Sequence, residues 1–186
     1  KQLIDPQTAY QVVHMLEGVV QRGTAVQLRD MNRPLFGKTG TTSGPTNVWF
    51  VGGSPDLIAG LYMGFDQPRN MGGYVQGSTY AVPIFKAFAT KAMAGMPIVP
   101  FRAPPGMRMI RIDRMSGKRV YGAWPSSDPK SPVIWEAFKP ESEPRRTIRR
   151  DELEAQKKKD EKGNVDAGPK GQRGDSDFLQ REGGIY

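Results

Sequence analysis

The sequence contains no cysteine, and its 186 residues include a single histidine, His14. Zinc sites built from cysteine and histidine are therefore excluded, as is a thiol nucleophile, because the required side chains are absent. A serine–histidine relay would have to use His14, which falls off the apolar face of its predicted helix and is expected at the surface. The sequence predicts no metal site and no bound cofactor.

Long apolar runs are also absent. No stretch approaches the roughly 18 consecutive apolar residues of a membrane-spanning helix, so no such span is predicted in this sequence. The chain opens with Lys1-Gln2-Leu3, without an initiator methionine or a leader-like segment. We expect it to be a piece of a longer protein, in which case a missing signal or anchor carries no weight.

Positive charge is concentrated in the first three quarters of the chain. Residues 1–140 carry 16 Lys and Arg against 8 Asp and Glu, whereas residues 141–186 carry 11 of each, so the net charge of +8 belongs to the first segment. The second segment has almost no aliphatic side chains before Phe178. It is predicted to be a disordered charged tail, with a transient helix over residues 149–162.

The apolar spacing over residues 1–97 predicts an α+β architecture of the α/β sandwich type. Asp5-Pro6 is a helix start, and apolar positions then recur at helical spacing as far as Gly23. Short turns between three apolar segments predict an antiparallel meander, and their apolar faces predict a sheet covered on both sides. The predicted elements are a helix over residues 6–22, strands over 35–42, 47–53 and 57–65, and a helix over 78–94.

A proline-rich extension is predicted for residues 98–140. An alternating segment followed by a turn at Ser116-Gly117 predicts a small basic hairpin. We expect the hairpin to be a solvated face, or a contact for anionic lipid headgroups or a cell-wall partner protein, with the tail as a spacer. The basic residues of the hairpin are Arg108, Arg111, Arg114, Lys118 and Arg119, and the expected aromatic anchors of the extension are Trp124, Trp135 and Phe138.

The candidate functional motif of the sequence is Gly37-Lys38-Thr39-Gly40-Thr41-Thr42. A phosphate-binding loop requires a glycine five residues before its Gly-Lys pair, and that position is Asn32. Such a loop also opens a helix, whereas the residues that follow here predict a turn. The phosphate-loop interpretation therefore fails on spacing and on context.

The same residues fit a strand that binds a peptide. Gly40 has no side chain, so that a ligand can lie against the strand and pair with its backbone. Lys38 supplies positive charge, while the hydroxyls of Thr39 and Thr41 alternate to one side, as hydrogen bonding to a carboxylate requires. The backbone N–H of Thr41 is then available to an oxyanion.

The order of motifs resembles that of the penicillin-binding proteins and serine β-lactamases, in which a K-T-G strand precedes a Trp-Phe strand and a third strand near Gly-Phe-Asp. The corresponding residues are Lys38–Thr42, Trp49-Phe50 and Gly64-Phe65-Asp66. Residues 1–96 look like the C-terminal part of the transpeptidase domain of a class A, bifunctional penicillin-binding protein of the 1A type. This implies an incomplete domain of that fold: a three-strand meander with flanking helices.

The resemblance also implies a function. The parent would be a serine-type D,D-transpeptidase on the periplasmic side of the inner membrane, with a glycan-polymerising glycosyltransferase upstream. It would cross-link peptidoglycan stem peptides through an acyl-enzyme and bind β-lactams. Lys38, Thr39 and Thr41 would hold the terminal carboxylate, Gly40 would let the peptide approach, and the Thr41 N–H would serve as an oxyanion donor. Trp49 is a candidate border of the cleft.

Two motifs of that family are missing before the K-T-G segment. The nucleophile lies in an S-x-x-K motif and a second motif has the form S-x-N, yet only 37 residues precede Lys38 and no S-x-N occurs. The one S-x-x-K string, Ser127–Lys130, follows the strand in a proline-rich stretch and is not expected to be reactive. The nucleophile and base are expected in an upstream remainder of the protein, and this chain alone is expected to be inactive.

Two other functions remain open. A serine β-lactamase fragment is one, although the long C-terminal extension argues against it. A basic, non-catalytic module for an anionic surface or nucleic acid is the other, supported by the net charge of +8 and the hairpin. Because the basic residues are not interleaved with stacking aromatics and no nucleic-acid motif occurs, no nucleic-acid partner is expected.

Overall fold

The computed structural model describes residues 1–165, which belong to two compact units. Among these residues, one unit is Leu16–Phe101, and the other combines Lys1–Met15 with residues 102–165. Helix α1 spans Pro6–Arg22 as predicted and supplies residues to both units. None of the helices within residues 1–165 is long and apolar enough to cross a bilayer.

The unit Leu16–Phe101 is built on a three-stranded antiparallel sheet in the order β1 (Phe36–Thr41), β2 (Asn47–Gly53) and β3 (Ile58–Gly64), which confirms the predicted meander. A short 3-10 helix precedes the sheet, and a single π-helical turn leads into helix α2 after it. Pro83 lies in the first turn of α2, where its missing N–H needs no partner. The other elements are the 3-10 helix Val26–Met31, the π-turn Gly77–Ala81 and α2 (Val82–Ala92).

The core of this unit is the contact between β2 and α2. The rings of Phe50 and Phe85 lie 4.6 Å apart between centroids, and both side chains are fully buried. Gly37 and Gly52 are opposite each other in the β1–β2 register, and a Cβ on either would collide with the Phe50 ring. The glycine pair therefore lets this ring lie flat on the two strands.

The opposite face of the sheet is partly open to solvent. Trp49, Val51 and Tyr62 keep about half of their surface accessible. The prediction that both faces of this sheet are covered is therefore wrong for this unit. The elements whose buried side chains join the core with Phe50 are α2, the π-turn, the segment around Leu28 and the end of α1 at Val20. They pack on the Phe50 face and leave the Trp49 face open.

The second unit contains a four-stranded sheet in the order β6 (Val133–Phe138), β4 (Arg108–Asp113), β5 (Arg119–Tyr121) and β7 (Thr147–Arg149). The predicted hairpin is present as β4 and β5, while β6 pairs antiparallel with β4 and β7 pairs parallel with β5. The two outer strands were not predicted, because β6 follows a proline-rich stretch and β7 is only three residues long in charged sequence. The other elements are a 3-10 turn Pro140–Ser142 and α3 (Arg150–Val165).

The prediction of a disordered tail from residue 141 is wrong for residues 141–165. Ile148 of β7 and Leu153 of α3 are buried together with Val120 and Val133 in a small core. Two aliphatic side chains suffice here because β7 adds to an existing sheet and needs little apolar area of its own. The helix predicted over residues 149–162 corresponds to α3, and residues 166–186 lie outside the described residues.

The prediction that His14 is a surface residue is also wrong. Its side chain is only 12% exposed, with Nε2 at 3.1 Å from the carbonyl oxygen of Trp135 and 3.6 Å from Glu136 Oε1. One turn earlier on α1, Gln11 donates to the carbonyl of Ala137 at 3.1 Å. The polar face of this part of α1 therefore packs on β6, which helical spacing alone could not show.

None of the three predicted aromatic anchors of the extension is buried, and Phe138 is half-buried. Trp124 is 69% exposed, so the prediction that it anchors the extension is wrong. Trp135 lies at the surface of β6 with its ring 6.0 Å from that of Trp124. The buried side chains of this sheet are aliphatic, as the small core above shows.

Replacement of Phe85 by alanine is expected to lower the free energy of unfolding by about 3–5 kcal/mol, because it removes a fully buried ring that packs on Phe50. The matched control is Phe88→Ala on the same helix, where the ring is half exposed and the expected loss is below about 1 kcal/mol. Urea unfolding followed by circular dichroism measures both. Equal losses would contradict the assignment of Phe85 to the core.

Acid is expected to weaken the start of α1. The ion pair between Lys139 Nζ and Asp5 Oδ2 (2.9 Å), with hydrogen bonds from Thr8, lowers the pKa of Asp5 from 3.8 to about 2. Because the folded-state pKa is depressed, this contribution to stability is complete above pH 3.8 and is lost as the pH falls through about 2.

The variant Asp5→Asn tests this dependence. Its melting temperature should lie below that of the unchanged chain at about pH 6, and the gap should close as the pH approaches the lowered pKa. The control Asp66→Asn removes an exposed carboxylate that forms no ion pair with any of residues 1–165 and should show no such convergence. A gap of constant size across the pH range would refute the linkage.

Candidate functional site

Strand β1, which carries the Lys38–Thr41 segment, is at the edge of its sheet. The N–H of Thr42 donates to the carbonyl of Asn47 at 3.2 Å, which fixes the phase of the hydrogen-bonded pairs between β1 and β2. In an antiparallel pair these alternate with pairs whose backbone groups point outward. The N–H and C=O groups of Thr39 and Thr41 therefore point away from β2, toward the edge at which an extended peptide can add a strand.

The hydroxyls of Thr39 and Thr41 lie on the same face of β1, toward the interior of the unit. Thr39 is 5% exposed, and its Oγ1 lies 2.9 Å from Oγ1 of Thr24. Thr41 Oγ1 accepts a hydrogen bond from the backbone N–H of Gly77 at 3.0 Å. Because a hydroxyl both donates and accepts, a Thr41 oxygen that receives this N–H can direct its own hydrogen toward an anion.

The ammonium group of Lys38 lies along the outer edge of β1. Its Nζ donates to the carbonyl oxygen of Thr39 at 2.9 Å and lies 3.4 Å from Thr39 Oγ1. The side chain is exposed, so the charge remains accessible while its position is fixed. A positive charge therefore stands beside the outward backbone groups of β1, where it favours an anionic ligand.

Trp49 lies opposite Gly40 in the β1–β2 register. Its indole meets the ring of Tyr62 edge-on, with 4.9 Å between centroids, and its side chain is 44% exposed. Since neighbouring strand residues face opposite ways, Trp49 is on the sheet face away from the hydroxyls of Thr39 and Thr41. It shares its face with Lys38 and Gly40, whereas the adjacent Phe50 is core.

Two residues of this arrangement were missed at the level of the sequence. Thr24 and Gly77 belong to segments far from the K-T-G motif, and neither has a spacing that links it to β1. Gly77 is the tighter contact, because a Cβ there would lie 2.8 Å from the carbonyl oxygen of Gly40 and 2.9 Å from that of Trp49. Its only signal is a glycine directly ahead of a predicted helix.

The string Ser127–Lys130 does not form the site that its spacing suggests. It belongs to the other unit, in a turn closed by the N–H of Ser131 and the carbonyl of Asp128 at 2.9 Å. The N–H of Lys130 is bound to the carboxylate of Asp128 at 2.8 Å. A nucleophile of the expected kind starts a helix, and this turn does not lead into one.

Several named relatives cover most of the chain. Penicillin-binding protein 1A of Pseudomonas aeruginosa is 35% identical over 146 residues, which are 77% of this chain and 17% of the relative. The protein of the same name from Rickettsia prowazekii is 34% identical over 135 residues, covering 73% and 16%, and that from Rickettsia bellii is 36% identical over 114 residues, covering 61% and 14%. The chain thus spans only 14–17% of the length of these relatives.

A solved structure shows the same fold. The crystal structure of penicillin-binding protein 1A from Haemophilus influenzae matches with a TM-score of 0.65 and 24% identity, over 78% of this chain and 22% of that one. No protein-family model matches the chain. The edge strand and its sheet thus form part of a domain of the penicillin-binding protein and β-lactamase type. Within that class, the chain belongs to the penicillin-binding protein 1A family.

Substitution of Gly77 by alanine is expected to disturb β1, because the new methyl group would press on backbone atoms of both β1 and β2. The expected loss in the free energy of unfolding is about 1–3 kcal/mol. Gly73→Ala is the matched control, since a Cβ at that position meets nothing within 4 Å. Equal melting temperatures for the two variants would show that Gly77 is not tightly packed against the backbone of β1.

Proposed function

We propose that this chain supplies one wall of the active site of a peptidoglycan transpeptidase. The observation that carries the proposal is the outward direction of the Thr39 and Thr41 backbone at a sheet edge, beside the ammonium of Lys38. The names of the relatives support a role in penicillin binding and cell-wall synthesis. The parent protein would then act at the cell envelope, on the periplasmic side of the inner membrane, with a glycan-polymerising domain elsewhere in its chain.

Substrate binding would begin with the addition of a strand to β1. A stem peptide that ends in D-Ala-D-Ala is extended, so its amide can donate to the outward carbonyl of Thr41. Its terminal carboxylate would meet Lys38 and the hydroxyl hydrogen of Thr41, while Thr39 supports the position from the buried side. A β-lactam presents the same carboxylate and a reactive carbonyl, and would bind in the same way.

The reaction would be acyl transfer through a serine in the remainder of the protein. Attack of the serine oxygen on the penultimate D-Ala carbonyl places negative charge on the carbonyl oxygen, and the N–H of Thr41 would donate to it. One such donor stabilises the transition state by about 3 kcal/mol. Collapse of the intermediate releases D-alanine with a proton, and an amine of a neighbouring stem peptide then takes the acyl group from the serine.

The alternative of a basic, non-catalytic module is not supported by the relatives named above, each of which is a penicillin-binding protein 1A. It would also leave the outward backbone of β1 without a role. The net charge of +8 is compatible with either function, because charge describes solubility and steering more than chemistry.

The variants Lys38→Met and Thr41→Val test the proposal in the full-length protein that contains this chain. Each removes one contact to the carboxylate and keeps the approximate size of the side chain. A hydrogen bond to a charged group contributes about 1.5–3 kcal/mol, so the rate of covalent labelling by a fluorescent penicillin should fall about ten- to hundredfold. The control Thr90→Val removes a hydroxyl at an exposed position of α2, and this variant should be labelled at the original rate.

Two results would defeat this assignment. One is unchanged labelling in both β1 variants when their melting temperatures match that of the unchanged protein. The other is covalent labelling of the 186-residue chain by itself at Ser127, which would place the nucleophile inside this sequence. If Thr41→Val loses both labelling and its folded state, the variant Thr41→Ser separates the two effects. It keeps the hydroxyl and should label at the original rate.

A further inference from the structure

Four of the five basic side chains of the β4–β5 hairpin are held by contacts within their own unit. They do not form the continuous basic surface that the sequence suggests. Lys118 is the exception, because no carboxylate among residues 1–165 pairs with its ammonium. The held groups are Arg108 and Arg119 on Glu143 (2.6 and 3.6 Å), Arg111 over the Trp124 ring at 3.9 Å, and Arg114 on the carbonyl of Pro129 at 2.8 Å.

Lys118 opens onto a cleft of about 320 Å³ in this unit. The cleft exists because β5 and β7 are parallel, which places the segments that precede the two strands side by side. The N–H of Arg119 donates to the carbonyl of Arg146 at 2.9 Å and joins the two segments. The lining residues are Ser116, Gly117, Lys118, Pro144, Arg145 and Arg146.

The charge in this cleft is unbalanced. Three of its six lining residues are cationic and none is acidic. The two nearest carboxylates in the sequence are engaged elsewhere: Glu143 binds Arg108 and Arg119, and buried Asp113 accepts the N–H of Ser116 at 2.9 Å and its hydroxyl. In the part of the chain that the structure describes, no ion pair involves Lys118, Arg145 or Arg146.

We propose that this cleft binds a phosphate-bearing anion. A carboxylate offers two oxygens and satisfies one guanidinium, whereas a phosphate offers three or four and can engage two guanidinium groups and an ammonium together. Gly117, with φ of +67°, adds no side chain to the wall and leaves room for the headgroup. The ligand is a phosphate monoester or diester, either free in solution or carried by an anionic lipid. The proposal does not depend on the transpeptidase function of β1.

Vesicle binding by the 186-residue chain tests the proposal. The vesicles contain phosphatidylglycerol in phosphatidylcholine, or phosphatidylcholine alone, and binding is measured by co-sedimentation. The double substitution Arg145→Gln/Arg146→Gln should weaken binding to the anionic vesicles about 30-fold, from two lost basic contacts. The matched control is Lys158→Gln/Lys159→Gln on exposed α3, which removes the same charge from the same unit and should cause little loss.

A second arm uses inorganic phosphate alone, titrated against the chain with the melting temperature as readout. A rise that requires Arg145 and Arg146 supports a soluble phosphate ligand, and vesicle binding without such a rise supports the lipid headgroup. Equal loss in the α3 control would show non-specific attraction and overturn the proposal. Absence of binding in both arms by the unchanged, folded chain would also overturn it. The variant Arg145→Lys/Arg146→Lys controls for misfolding. It keeps the charge but not the guanidinium groups, so its vesicle binding should lie between that of the unchanged chain and that of the glutamine variant.

Discussion

The packing of Phe50 against Phe85 sets the direction of every residue in β1. Because strand side chains alternate, burial of Phe50 turns its register partner Thr39 inward and places Lys38 and Gly40 on the other face. A slip of one residue would exchange the two faces and expose a phenylalanine. The contact between Phe50 and Phe85 therefore determines which side chains of the K-T-G segment are buried and which are accessible, although neither ring belongs to that segment.

The same register determines the hydrogen-bonding phase of the sheet edge. Outward N–H and C=O groups attract any extended chain, which makes an unprotected edge strand a risk for aggregation. Here the edge is short and carries the charge of Lys38 beside the carbonyl of Thr39. In the proposed function, Lys38 thus has two effects. It discourages pairing with an apolar strand, and it favours a peptide that ends in a carboxylate.

Local patterns predicted the part of the fold in which local contacts decide the structure. Strands β1–β3 follow from three apolar segments joined by short turns, and α1 follows from Asp5-Pro6 and helical spacing. The partners of the threonine hydroxyls, Thr24 and Gly77, were not predictable, because the chain folds back to bring them to β1. Composition misled at Ile148 and Leu153, since it averages over a segment and hides two well-placed aliphatic side chains.

Net charge, like composition, averages over a whole segment, so it did not predict which basic side chains lie close together in the fold. The hairpin holds five basic residues in a short stretch of sequence, yet after folding two are ion-paired, one is stacked on an aromatic ring and one is hydrogen-bonded to a carbonyl. The cationic cleft instead joins Lys118 to residues 145–146, which lie almost thirty positions further along the chain. The parallel pairing of β5 with β7 produces this convergence. A concentration of like charge destabilises the folded protein unless an anion compensates it. The position of the proposed anion site therefore follows from the arrangement of the strands more than from the number of basic residues.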